Sequence, residues 1–136
     1  MDIEVFAIGY KKDSFTCYGA VLTMGDITFE STKVFGDIAK NQADVMAVTM
    51  ALRCIKPEFR EHKVILYSPP GYASKVLEQR TDGGWLSNPK ANLDVIQEAR
   101  KTIGMFSDIE VRISNKRPPA YNRCIELVKE CQKNAN

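Results

Sequence analysis

Apolar and polar positions alternate at the start of the chain. Over residues 3–8, Ile3, Val5 and Ala7 share one parity and Glu4, Phe6 and Ile8 the other, a period of two that predicts a strand. Lys11, Lys12, Asp13 and Ser14 read as a turn. A second strand is expected over 16–24, Gly25 and Asp26 as a hairpin turn, and a third strand over 27–35. The period then lengthens. From Asn41 to Ile55 the apolar set Ala43, Met46, Ala47, Met50, Ala51 and Cys54 forms a broad helical face, as in a helix held between layers. Asn41 reads as its N-cap, with Asp44 three residues on in the place of a capping-box acid, and Pro57 stops it.

The run at 64–67 predicts a fourth strand. Ser68 is placed to cap a helix whose first turn holds Pro69 or Pro70, where a missing N–H costs little. A loop at 81–85 follows, then a helix capped by Asn92 and running to about residue 103. Residues 109–113 predict a fifth strand. Ser114, Asn115, Lys116 and Arg117 form a polar, basic loop before Pro118 and Pro119. The last helix carries a stripe of Tyr121, Cys124, Ile125, Val128 and Cys131. The order βββαβααβα predicts an α/β fold with one mixed sheet and helices on its faces.

The 136 residues suit a single domain with a real core, taken as 1–136. No apolar run reaches membrane-spanning length, and the opening residues lack a signal-peptide pattern, so no membrane partner and a cytoplasmic location are expected. Cys17, Cys54, Cys124 and Cys131 lack C-x-x-C spacing and are expected to be reduced core thiols; with His62 the only histidine, a zinc site is not expected. The charge is uneven. Residues 111–136 hold six basic and two acidic side chains, including Arg112, Lys116, Arg117 and Arg123, which makes this segment a candidate phosphate-facing patch.

Several local motifs, in order, resemble the ribonuclease H family, ribonuclease HI in particular, over nearly the whole chain. Phe6, Ala7, Ile8 and Gly9 resemble its first strand, where an Asp-Gly pair normally sits. Tyr18, Gly19, Ala20, Val21 and Leu22 resemble its second strand. Asn41 to Ala47 is similar to its first helix, which usually reads N-x-x-E-hydrophobic. Val64 to Ser68 resembles its fourth strand, and Asn92, Leu93 and Asp94 a motif opening a later helix. Asn122 to Leu127 resembles its last helix, where an Asp normally precedes the Glu-Leu pair. The resemblance implies a five-stranded mixed sheet, three antiparallel strands followed by two parallel ones, flanked by helices.

Family members cut the RNA strand of an RNA/DNA hybrid with two metal ions, clamped ~3.5–4 Å apart. Such a pair needs several carboxylates, because Mg²⁺ takes oxygen ligands and two adjacent dications repel. The resemblance maps the four carboxylate positions to Ile8, Asp44, Pro69 and Ile125. Only Asp44 can ligate, and it is a weak metal candidate by itself. Glu4 lies ~13 Å from Ile8 along the strand, and Glu126 points about 100° away from Ile125 around its helix. The loop at 114–117 lacks the His that many members place there. The expected protein is therefore a degenerate, catalytically inactive member with no cofactor; Mg²⁺ or Mn²⁺ would matter only to an active hybrid endonuclease with a non-standard site.

Binding of an RNA/DNA hybrid or structured RNA would fall to Lys11, Lys12, Lys40, Asn41, Lys116 and Arg117, Asn41 matching a minor-groove residue of the family. The basic handle of many members is short here, with only Arg80 and Lys90 over residues 79–90. The alternative is a protein-interaction or scaffold module, its cleft floored by Ile8 and Ile125 as an apolar pocket or dimer surface. Tyr72, Trp85 and Tyr121 read as packing residues.

Overall fold

The computed structural model describes residues 1–68, 93–113, 116 and 118–135. Its elements are β1 (Ile3–Lys12), β2 (Phe15–Met24), β3 (Ile27–Gly36), α1 (Lys40–Arg53), a 3₁₀ turn at Pro57–Phe59, β4 (Val64–Ser68), α2 (Leu93–Ile103), β5 (Ile109–Ile113) and α3 (Pro119–Ala135). The helix expected after Ser68, the loop at 81–85, Asn92 and the side chains of Pro69, Tyr72, Trp85 and Arg117 lie outside the described residues.

The strands form one sheet in the order β3-β2-β1-β4-β5. β1 pairs antiparallel with β2, and β2 with β3, through two-residue turns at Asp13–Ser14 and Gly25–Asp26. Asp13 (φ 55°) and Gly25 (φ 61°) adopt the left-handed conformation that such tight turns require, and Asp and Gly tolerate it. β4 and β5 add in parallel on the other side, Phe6 opposite Tyr67 and Ser68 opposite Ile113. The expected mixed sheet is thus present. Its first hairpin is longer than the sequence pattern suggests: Lys11 and Lys12 are strand residues, opposite Thr16 and Phe15, rather than turn residues.

Strand alternation sorts the core into two layers. Ile3, Val5 and Ala7 of β1 join Tyr18, Ala20 and Leu22 of β2 beneath α1, with Ala47, Val48, Ala51, Leu52, Val64 and Leu66. Phe6 and Val21 face the other way, against Cys124 and Leu127 of α3. Val45 packs with Ile96 and Ala99, joining α1 to α2. The buried residues of α1 are Ala43, Val45, Ala47, Val48, Thr49, Ala51 and Leu52; Met46, Met50 and Cys54 of the expected face are only half-buried.

The start of α1 also differs from expectation. Ala39 is the N-cap and makes no side-chain cap, and its own N–H donates to Gln42 Oε1 at 3.2 Å. Asn41 lies inside the first turn and Asp44 beyond it, so Asp44 is not a capping-box carboxylate. The entry is fixed from outside the helix instead. Ile38 O accepts from Lys11 Nζ at 2.8 Å and from the buried Thr16 Oγ1 at 3.1 Å, so the β1–β2 hairpin, not Asn41, decides where α1 begins.

Candidate functional site

The carboxyl end of β1 extends past the end of β4. Among the described residues their pairing stops at Phe6 and Tyr67, so the backbone of β1 beyond that point has no β4 partner there. Gly9 sits in this overhang, where α1 crosses the strand. A Cβ on Gly9 would lie 2.5 Å from Ala43 C, 2.6 Å from Asp44 N and 2.8 Å from Ala43 O, so only glycine admits the helix this close. The Gly9 N–H is buried and donates to Asp44 Oδ1 at 3.1 Å. The same oxygen accepts from Lys40 Nζ at 2.6 Å, one helical turn earlier. Asp44 thus satisfies a strand-edge N–H that would otherwise be orphaned, and an ammonium balances its charge.

Ile8 points to the opposite face. It is half-buried against the cluster of Phe6, Val21, Cys124 and Leu127, and lies opposite Gly19 in the β1–β2 ladder. Gly19 marks the crossing of α3, since a Cβ there would meet Cys124 O and Val128 Cγ1, each at 2.9 Å. Ile125 is half-buried as well. The buried stripe of α3 is Cys124, Leu127 and Val128, so Ile125 flanks the stripe instead of lying in the middle of it. Of the four mapped positions, Ile8, Asp44 and Ile125 are described and Pro69 is not. The described three offer one carboxylate, already engaged by an N–H and an ammonium. That donor set does not fit a pair of divalent cations. Among the described residues, no three His, Cys, Asp or Glu side chains gather into a metal-holding group.

The expected nucleic-acid residues separate into groups. Lys11, Lys40 and Asn41 come together at the entry to α1, where Lys11 pairs with Asp37 at 3.0 Å and Lys40 with Asp44. Lys12, exposed at the end of β1, has the opposite strand parity and belongs to the α3 face. Lys116 lies on that face too, at the rim of a cavity of about 220 Å³ lined also by Phe6, Tyr67, Ser68, Arg112, Pro118 and Tyr121. Among the described residues neither Ile8 nor Ile125 lines this cavity, whose floor is aromatic. Phe6 and Tyr67 stack there with centroids 4.5 Å apart, and the Arg112 guanidinium lies 5.9 Å from the Tyr67 centroid. The aromatic stack could not be read from spacing, because it joins residues from two strands whose register the sequence leaves open.

The basic C-terminal segment is more neutral in three dimensions than in sequence. Arg123 binds both carboxylate oxygens of Glu30, at 2.7 and 3.0 Å, and also Glu126 at 3.1 Å and Glu130 at 3.2 Å. Arg112 pairs with Glu110. Carboxylates from the same and other elements thus offset both of these arginines. The hydrogen bond from Arg123 holds the Glu30 carboxyl below its ordinary range, and the one from Arg112 does the same for Glu110. All four cysteines are free; burial pushes the Cys17 and Cys124 thiols up to about 12, so both stay protonated and unreactive at neutral pH.

No helix among the described residues is long and apolar enough to cross a membrane. No family model matches the sequence, and no curated protein matches it. Solved structures do match. Ribonuclease H1 from the archaeon Halobacterium salinarum is 22% identical with a TM-score of 0.72, covering 96% of this chain and 99% of that one. The N-terminal ribonuclease H domain of a Mycobacterium tuberculosis protein is 19% identical with a TM-score of 0.72, covering 99% of each chain. The compost-derived LC11 ribonuclease H1, in complex with an RNA/DNA hybrid, is 18% identical with a TM-score of 0.71, covering 94% of each chain. Strand order, the two helix crossings and this likeness over almost the entire length agree: the chain has the ribonuclease H fold.

Proposed function

We propose that this chain is a catalytically inactive ribonuclease H-like domain that retains binding to nucleic acid, an RNA/DNA hybrid or structured RNA. The observation that carries the first half is the state of Asp44. It is the one acid at the four mapped positions, and its Oδ1 is held by the Gly9 N–H and the Lys40 ammonium. Two cations ~3.5–4 Å apart need several oxygen ligands, and the isoleucines at 8 and 125 and the proline at 69 supply none.

The second half rests on the entry to α1. Lys11, Lys40 and Asn41 lie together there, and no side chain caps the first turn, whose N–H groups favour an anion such as phosphate. The fold is shared with LC11 ribonuclease H1, which was crystallised with an RNA/DNA hybrid. Asp37 and Asp44 offset two of the lysines, so binding is expected to be weak. Exposed ion pairs contribute only ~0–1 kcal/mol, so phosphate can compete for the same ammonium groups.

The test joins binding and cleavage. A labelled hybrid is titrated at low and moderate salt, beside duplex RNA and duplex DNA, and is then incubated with Mg²⁺ or Mn²⁺. Binding should weaken with added salt with a log–log slope of about −2 to −3, as two or three phosphate contacts require. No product should form. Absence of binding at low salt would reject the binding half; metal-dependent cutting abolished in Asp44→Asn would reject the inactive half.

A further inference from the structure

The two edges of the sheet are built differently. β5 is five residues long, and its Glu110 pairs with Arg112 and, at 3.5 Å, with Lys63 of the segment before β4. β3 is ten residues long and exposed nearly throughout. Ile27, Phe29 and Val34 are 65%, 53% and 45% exposed, three of the most exposed large apolar side chains among the described residues. The inner edge of β3 pairs with β2; its outer edge faces no other strand among the described residues. The usual guards of such an edge are sparse. β3 has no proline, the register shift lies only at its far end, opposite Thr16 and Cys17, and Lys33 is its one basic residue.

We propose that β3 docks a second copy of this chain, the two β3 strands pairing antiparallel about a two-fold axis normal to the sheet at Ser31. Such an axis keeps each side chain on its own face, so one residue must sit opposite itself and the rest pair symmetrically around it. A centre at Glu30 opposes two carboxylates. A centre at Thr32 sets Glu30 against Val34 and leaves Ile27 beyond the strand end. A centre at Ser31 pairs Ile27 with Phe35, Thr28 with Val34, Phe29 with Lys33 and Glu30 with Thr32. Ile27 meets Phe35, the β-branched Thr28 and Val34 face each other, an ammonium lies beside an aromatic ring, and no like charges face each other. This self-complementarity commits the surface to a second copy rather than to an unrelated strand. A strand pair alone buries less than the ~800 Å² per partner of a standard interface, so the dimer is reversible.

Sedimentation equilibrium of the full chain, without nucleic acid, from low to high micromolar concentration tests this. The mass should rise from one chain to two. Phe29→Lys should raise the concentration needed by about tenfold or more, with an unchanged circular dichroism spectrum. The register has its own test. Residues 28 and 34 lie ~20 Å apart within one strand, so thiols in a Thr28→Cys, Val34→Cys double variant can bridge only between chains. Mild oxidation by oxidised glutathione should convert it to a covalent dimer, above the background of either single variant. Ile27→Cys with Val34→Cys puts the thiols on opposite faces and should not cross-link. A strict monomer, association indifferent to Phe29→Lys, or equal cross-linking of both pairs would overturn the proposal.

Discussion

Two helices come into close contact with the central hairpin, one on each face, and each contact needs a glycine. Under α1 the glycine is Gly9, and the atoms a Cβ would strike are all backbone. Under α3 it is Gly19, where one of the two nearest atoms is a Val128 methyl. The polar chemistry also differs. The α1 crossing holds a charged carboxylate on a buried N–H, whereas the α3 crossing is lined by Ile8, Cys124 and Leu127. In this chain the fold is held by close helix crossings and a satisfied strand edge, and among the described residues neither needs a cluster of acids. Architecture and reaction place separate demands on neighbouring residues.

The strongest way to break this comparison is to fill the two glycines. Gly9→Ala should cost about 3 kcal/mol and Gly19→Ala about 1–2 kcal/mol, read from urea midpoints at constant m-value, because backbone atoms yield less than a side-chain methyl. Equal losses would mean that the two crossings are equally rigid. Asp44 comes next. Asp44→Ala orphans the buried Gly9 N–H and should cost about 1–2 kcal/mol, while Asp44→Asn keeps an acceptor and should cost less than about 1 kcal/mol. Neither ranking should change with added Mg²⁺. If Mg²⁺ stabilises the wild type and not Asp44→Asn, the carboxylate is a ligand after all.

The α3 side predicts smaller effects. Ile8 packs into the Phe6 and Leu127 cluster but is half-exposed, so Ile8→Ala should cost about 1 kcal/mol. Ile125 flanks its helix stripe, and Ile125→Ala should cost about 0.5 kcal/mol. Thermal or urea unfolding of the two variants separates them. Costs of 3 kcal/mol or more would show a sealed apolar plug in place of the half-open surface described.

Much of this was legible from the chain. Alternation at 3–8, the turn at Gly25 and Asp26, and the apolar run at 64–67 report local backbone preferences, and the sheet follows them closely. The start of α1 departs from propensity: Asn41 is a good cap by residue type, whereas Thr16 and Lys11 hold Ile38 from a different element. Spacing puts Ile125 mid-stripe, but helical spacing cannot say which of two adjacent apolar residues turns toward the sheet. The positive C-terminal segment is partly offset in three dimensions. Charge counted along the chain omits carboxylates brought in from elsewhere, and Glu30 lies 93 residues before Arg123.

That long-range pair supplies the smallest effect and a sign that can be checked. The Glu30 carboxyl is held below its ordinary range, chiefly by its hydrogen bond with Arg123. A carboxyl lowered in the folded state stabilises the fold above its unfolded pKa and loses that contribution as pH falls through its folded pKa. Arg123→Gln should therefore melt slightly below the wild type at neutral pH. The gap should persist down to about pH 4.5 and close below it, as Glu30 takes up its proton in both proteins. Added salt should shrink the gap at neutral pH, because the pair is exposed and screened. A gap that is independent of pH and salt would assign Arg123 a packing role for its aliphatic stem. The tie between α3 and β3 would then not be electrostatic, and the α3 face would be apolar out to its rim.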